Sequence, residues 1–566
     1  MDSMARRWIR WLAKGRSKTW ASPSILLLSI LIRWLVGLGG YSGEGTPPLY
    51  GDFEAQRHWM ELTLHLPVSQ WYKYDVLYWG LDYPPLTAYV SWLCGYIGET
   101  FDPRWFALTD SRGIESDGSK AYMRSTVIAW DIIIYSPSIW CFSRCWLKAR
   151  SQRSQTIAML TLLLQPALLL VDHGHFQYNS IMLGLCIISF NLFHEGHDIL
   201  GAVVFTLALT FKQMALYYSP AIFAYLFGKC IYLGGKSGLS LFLALGITSL
   251  TTLCLLFSPF LRSPFPVLFL ESIHRIFPIS RGLFEDKVAN FWCASNILMK
   301  WRERSWIKGR LPLFATILTT LGFLPSMLHM LYLSWMLRPR LASNEGCTGS
   351  PGSTNSIRNL FRMRRPAAPT IILLPYVLGN CAFSFFLFSF QVHEKSILLP
   401  LLPFTLMMGG REDLGPSAVG VWEWGVLLNN VAVFSLWPLL RRDGQTLQYV
   451  VLTLFWNYLI GHNPWTMPSS WLKVITQARV VLVTTSGSYG GLICLHILEV
   501  FLAPPVRYPD LYVVLNVVLC TAIFGMCWLW GMKRQLEVGW SISWVDATPS
   551  RNGAVLDTRN VRAKLE

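Results

Sequence analysis

Between residues 22 and 531 the sequence is a succession of apolar runs of helical length, separated by short polar connections. The runs lie at 22–40, 124–144, 156–171, 179–194, 199–217, 218–233 and 238–258, then at 311–336, 368–390, 396–410, 419–440, 446–461, 478–502 and 511–531. About 20 apolar residues cross the hydrocarbon of a bilayer as a helix. Lipid offers no hydrogen-bond partners, so each crossing must satisfy its backbone internally. The pattern therefore predicts an all-α polytopic membrane protein with about 14 transmembrane helices. Composition agrees: 53% of residues are hydrophobic and only 14% are charged, which excludes an ordinary soluble domain. The net charge is +16, but Lys and Arg gather at the edges of apolar runs. That placement is the positive-inside signature, with the lipid bilayer as partner and no nucleic acid. Twelve cysteines are scattered without a CxxC pair, so neither a disulfide framework nor a zinc site is expected.

One further run, "PPLTAYVSWLCGYIG" at 84–98, either spans or lies along the membrane surface. Loop charge arbitrates. If 84–98 stays on the surface and the N-terminus is cytosolic, the basic segments 144–153 and 337–366 fall in the cytosol, as the positive-inside rule requires. If it spans, both are translocated. The first assignment divides the chain into a basic cytosolic N-terminus (1–20), a transmembrane domain (21–531) with a cytosolic linker at 337–366, and a polar cytosolic tail (532–566). It also places loops 41–123, 172–178, 259–310 and 391–395 on the non-cytosolic side.

Those loops hold the polar motifs. "GDFEAQRHWMEL" (51–62) puts Asp52 directly after the first span, with Gln56 and Trp59 near the same helical face and Arg57 and Glu61 as an i,i+4 pair on another. An interfacial helix with solvated charges is the plain alternative. "GLDYPP" places Asp82 before paired prolines, where it either caps the following helix or tunes a second carboxylate. "DHGHFQYN" supplies Asp172, His173, His175, Gln177 and Asn179. Its H-x-H spacing lacks a third ligand nearby, so sugar or phosphate contact or helix capping is favoured over metal. "RGLFEDKVANFWC" and "QVHEK" bring Arg281, Lys287, His393, Glu394 and Lys395. Cations at a membrane surface suit a lipid phosphate, while ion pairing between loops is the bland reading. Asp131 and Lys212 are ionisable groups inside spans and therefore functional suspects. No Walker A, dinucleotide glycine pattern, HExxH or GxSxG occurs, so nucleotide chemistry has no support.

The strings "GDFEAQRHWMELT", "YWGLDYPPLTAY", "DHGHFQYNS", "FKQM", "RGLFEDKVANFWC" and "QVHEKSILLP" occur in this order across most of the chain. Together they resemble the glucosyltransferases that act on the lipid-linked oligosaccharide of the endoplasmic reticulum in protein N-glycosylation. The intact first and second strings look like the enzyme that adds the first glucose, in α-1,3 linkage, while the sibling that adds the second shares "HFQYN" and "DYPP". The resemblance implies a GT-C fold in the endoplasmic reticulum membrane with a lumenal site and interfacial helices in the first loop. It implies dolichyl-phosphate glucose as donor, a dolichyl-pyrophosphate-linked oligosaccharide as acceptor, and inversion at C1. Asp52 matches the first-loop carboxylate expected to be the catalytic base. Asp82, His175, Gln177, Arg281, His393, Glu394 and Lys395 are the substrate-binding candidates, and neither metal nor cofactor is expected. A lipid-linked sugar transporter is the competing class; it would show paired broken spans in two halves, and no such symmetry is evident.

Overall fold

A computed structural model describes residues 4–12, 19–262, 265–277, 287–301, 303, 309–339, 364–409, 420–462 and 475–547. Among the described residues there is no β-strand, and each apolar run is occupied by helix. Among the described residues six helices are long and apolar enough to cross a membrane: Asp117–Cys145, Gln152–Phe176, Gly235–Leu261, Leu311–Met336, Pro369–Phe388 and Leu511–Ile542. Ala21–Gly37, Asn179–His194, Asp198–Phe211 and Thr446–Ile460 are apolar but shorter. The last helix runs on past 531 to Ala547. Residues 548–566 and nearly all of 337–366 lie outside the described residues.

The site is framed by eight helices, labelled α1 (Ala21–Gly37), α2 (Gly51–His65), α3 (Pro85–Glu99), α4 (Asp117–Cys145), α5 (Gln152–Phe176), α6 (Asn179–His194), α7 (Asp198–Phe211) and α8 (Trp437–Arg442). Apolar side chains such as Leu239, Leu250, Leu255 and Leu321 point outward on the peripheral helices, the surface a bilayer covers. Between helices, polar side chains pair with one another. Asn380 Nδ2 donates to Gln535 Oε1 at 2.9 Å and Gln165 Nε2 to Asn429 Oδ1 at 3.1 Å; Lys229 and Asp198 form a buried ion pair at 2.8 Å. Such contacts hold membrane helices together where hydrophobicity cannot.

α2 carries the densest charge, and most of it is internal. Glu54, Arg57, His58 and Glu61 are all 0–1% exposed, which overturns the picture of a solvated amphipathic face. Arg57 Nη2 reaches Glu54 Oε1 at 2.6 Å and Glu61 Oε2 at 2.7 Å, and its Nη1 reaches Ser111 Oγ at 2.6 Å. The Thr109 N–H donates to Glu61 Oε1 at 2.7 Å, and Tyr78 OH to Glu54 Oε1 at 3.0 Å. The cluster thus ties α2 to the segments around 78 and 109, fixing the first loop as a platform.

Burial alone would raise the Glu61 carboxyl, but His58, Arg57 and the Thr109 N–H together hold it at about 2. A carboxyl lowered in the folded state stabilises the fold above the ordinary carboxylate range, and that contribution is lost as pH falls toward 2. The shift corresponds to a few kcal/mol at most, on the order of 3. Thermal unfolding in detergent is expected to show Glu61→Gln well below wild type at pH 7, with the gap narrowing between about pH 4.5 and pH 2.5. A gap independent of pH would show that the ion cluster contributes nothing through Glu61 ionisation.

Candidate active site

Three chain segments bring their polar groups to the N-terminus of α2. The backbone enters α2 through Tyr50 and Gly51, both at positive φ, and the Asp52 N–H is held by Ser42 Oγ at 3.1 Å. Asp52 therefore leaves the first helical turn beside the end of α5, where the chain from Leu169 to Phe176 widens into a π-helical turn. Such turns re-aim side chains and recur at functional sites. Phe176 sits at φ +87, rare for a bulky residue. Its ring is buried between Phe53, 4.6 Å away between centroids, and Tyr178, 5.7 Å away. This conformation turns His175 and Gln177 toward Asp52.

All the hydrogen bonds made to the Asp52 carboxylate converge on one oxygen. Lys395 Nζ donates to Oδ2 at 2.6 Å and Gln177 Nε2 at 2.5 Å, while His175 Nε2 lies 3.1 Å from the same atom. Among the described residues none of these bonds engages Oδ1, and the Asp52 side chain is 25% exposed. Burial would raise its carboxyl, but Lys395 and His175 hold it well below the usual carboxylate range. One oxygen is thus anchored and the other is open to a ligand.

A second layer of polar groups runs inward. The apolar run at 199–217 breaks at Lys212, whose backbone is extended, and resumes as the tight turn Gln213–Tyr218. That break lets Lys212 Nζ donate to Gln177 Oε1 at 2.9 Å and Asn179 Oδ1 at 2.6 Å. Asn179 Nδ2 and the Ser180 N–H in turn hold Asp172, at 2.7 Å and 2.6 Å. Asp131 is bonded by Arg33 and by His173 Nε2, the latter at 2.9 Å. The two intramembrane groups flagged in the sequence therefore buttress the site from behind.

The sequence candidates separate accordingly. Asp52, His175, Gln177 and Lys395 meet. Asp82 does not cap the next helix, because Pro84 takes that position without a side-chain bond. It lies instead within electrostatic reach of Lys212, whose ammonium stands 4.8 Å from the centre of the neighbouring Tyr83 ring. His393 and Glu394 precede Lys395 at the start of the turn Glu394–Ile397, where the His393 carbonyl accepts the Ser396 N–H at 3.0 Å. Arg281 lies outside the described residues. Asp443 was not singled out from the sequence, yet its Oδ2 is 2.5 Å from His175 Nδ1. The alternation of spans expected from the sequence would put 441–445 on the side of the other polar loops, the one signal that could have pointed to it.

A carboxylate with one oxygen free of hydrogen bonds among the described residues and the other held by an ammonium, set among apolar helices of membrane-crossing length, fits the class of membrane glycosyltransferases. The chain belongs to the ALG6, ALG8 glycosyltransferase family, whose model matches residues 29–531. It is 43% identical to the dolichyl pyrophosphate Man9GlcNAc2 alpha-1,3-glucosyltransferase of Saccharomyces cerevisiae, with 91% of each chain covered. It is 41% identical to the probable enzyme of that name from Schizosaccharomyces pombe, covering 92% of this chain and 93% of the relative. The Gallus gallus enzyme is 36% identical, over 91% of this chain and 98% of its own.

Proposed function

We propose that this protein transfers the first glucose from dolichyl-phosphate glucose, in α-1,3 linkage, onto dolichyl-pyrophosphate-linked Man9GlcNAc2 at the lumenal face of the endoplasmic reticulum membrane. In this reading the helices form a GT-C bundle of about 14 crossings with α2 and α3 as interfacial helices of the first loop. The observation that carries it is the divided environment of Asp52: Oδ2 is held by Lys395 and Gln177, and Oδ1 is open.

The chemistry follows from that division. A mannose hydroxyl reaches Asp52 Oδ1, which takes its proton as the hydroxyl oxygen bonds to C1 of the glucose. The bond from C1 to the phosphate oxygen breaks on the opposite face, and its electron pair stays with dolichyl phosphate. Inversion at C1 is the consequence. The leaving phosphate gains charge and needs cations more than a general acid. Lys395, the ammonium beside Asp52, is the first candidate for this, with Arg281 and His393 as the further candidates. No metal or nucleotide enters the scheme. Purified protein supplied with an oligosaccharide acceptor is expected to use dolichyl-phosphate glucose, in the presence of EDTA, and to ignore dolichyl-phosphate mannose and nucleotide-linked glucose. Use of a nucleotide sugar instead would refute the donor assignment.

A further inference from the structure

Asp443 closes helix α8. Gly444 follows at φ +71, the left-handed position that ends a helix, and the Gln445 N–H returns to the Leu440 carbonyl at 2.8 Å. This turn directs the Asp443 side chain inward, where it is 7% exposed. The turn is seated tightly on the site: a Cβ on Gly174 would stand 2.5 Å from Gln445 Oε1, and Gln445 Nε2 donates to the Gly40 carbonyl. The two ends of the His175 ring therefore face two carboxylates from distant parts of the chain. Nδ1 meets Asp443 at 2.5 Å and Nε2 meets Asp52 at 3.1 Å.

We propose that Asp443, acting through His175, is the positioning residue that fixes the orientation of the Asp52 carboxylate during transfer. This rests on the reading of Asp52 as the base. By accepting a hydrogen bond from Nδ1–H, Asp443 locks the ring plane and favours the doubly protonated ring, whose Nε2–H is then directed at Asp52. Lys395 shares that task, since its Nζ is 2.6 Å from Asp52 Oδ2 and 3.2 Å from His175 Nε2. A donor phosphate draws Lys395 toward itself. His175 then remains on Oδ2, donating from Nε2 while Nδ1 donates to Asp443, and the open Oδ1 keeps its aim at the hydroxyl. The charged groups facing the ring are Asp52 of α2, Lys395 and Asp443. Behind it, Arg124 of α4 donates to the carbonyls of His173 and Gly174. Lys212, just past the end of α7, is one residue removed, through Gln177.

The test is steady-state kinetics of Asp443→Asn, Asp443→Glu and Asp52→Asn across pH. Asn keeps the shape but removes the negative charge at Nδ1, so the doubly protonated ring that donates to Asp52 is no longer favoured. Asp443→Asn is expected to lower kcat about 100-fold with KM for donor and acceptor within twofold. Its alkaline limb should move to lower pH, because the carboxylate that favours the ring proton is gone. Asp443→Glu should recover at least a tenth of the lost rate. Wild-type kcat and an unmoved pH profile in Asp443→Asn would overturn the proposal while leaving the base reading intact. So would a loss that falls equally on KM and thermal stability at every pH and is not relieved by Glu, since that is plain structural support. Wild-type transfer by Asp52→Asn would instead remove the base reading itself.

Discussion

Asp52→Asn is expected to lower kcat by about 1,000-fold or more, the upper part of the range that a positioned general base contributes. The substitution keeps the volume and the backbone bond to Ser42 Oγ at the helix start, so the protein should remain folded, with a melting temperature lowered at pH 7 by loss of a carboxylate that Lys395 and His175 hold low. Donor affinity should change little, because in the proposed scheme Asp52 meets the acceptor hydroxyl and not the phosphate. The amide can still accept from Gln177 or Lys395, but it has no basic oxygen to take a proton. A rate within tenfold of wild type would show that the hydroxyl is activated elsewhere. The measurement is single-turnover transfer to a defined acceptor with both substrates saturating, which isolates the chemical step from product release.

Lys395→Met should cost about 100- to 1,000-fold in kcat/KM for the donor, comparable to removing one preorganised donor from a developing anion. Methionine preserves the length of the stem and removes the charge. Two readouts separate this from a packing defect. The loss should be larger for a donor with a poorer leaving group, since the ammonium stabilises charge that grows as the C1 bond breaks. The acid limb of kcat/KM, which reports the enzyme before substrate draws Lys395 away, should also move upward in pH. Lys395 and His175 outweigh burial in holding the Asp52 carboxyl low; without the ammonium, burial gains and Asp52 protonates earlier as pH falls. An unmoved acid limb in Lys395→Met would break the link between this pair and the base.

The helical, membrane-bound character was legible because apolar runs report directly on what must be hidden from water or given to lipid. Asp52, His175, Gln177 and Lys395 were also legible, since polar residues concentrated in loops on one face of such a chain have few structural reasons to be there. Burial was not. Glu54, Arg57, His58 and Glu61 belong to the same polar string as Asp52, yet they are internal ties of the first loop, and sequence spacing cannot distinguish a wetted charge from one enclosed by segments at 78 and 109. Asp443 was hidden for the opposite reason. In "RRDGQ" it reads as a helix end flanked by basic residues, and only the docking of that turn against Gly174 brings it to His175. The break at Lys212 was likewise not legible in the run 199–217, because the hydrogen bonds that accompany it reach Gln177 and Asn179 across the bundle.

Direct displacement by a hydroxyl deprotonated at Asp52 makes one demand that no rearrangement of the supporting residues can evade. The β-linked glucose of dolichyl-phosphate glucose must arrive on the acceptor as an α-glucoside. NMR of the product formed by the purified protein from that donor and a Man9GlcNAc2 lipid should show a single new α-1,3-linked glucose, absent when Asp52→Asn is used. A β-linked product would contradict the mechanism, as would an α-linked one formed at the wild-type rate by Asp52→Asn.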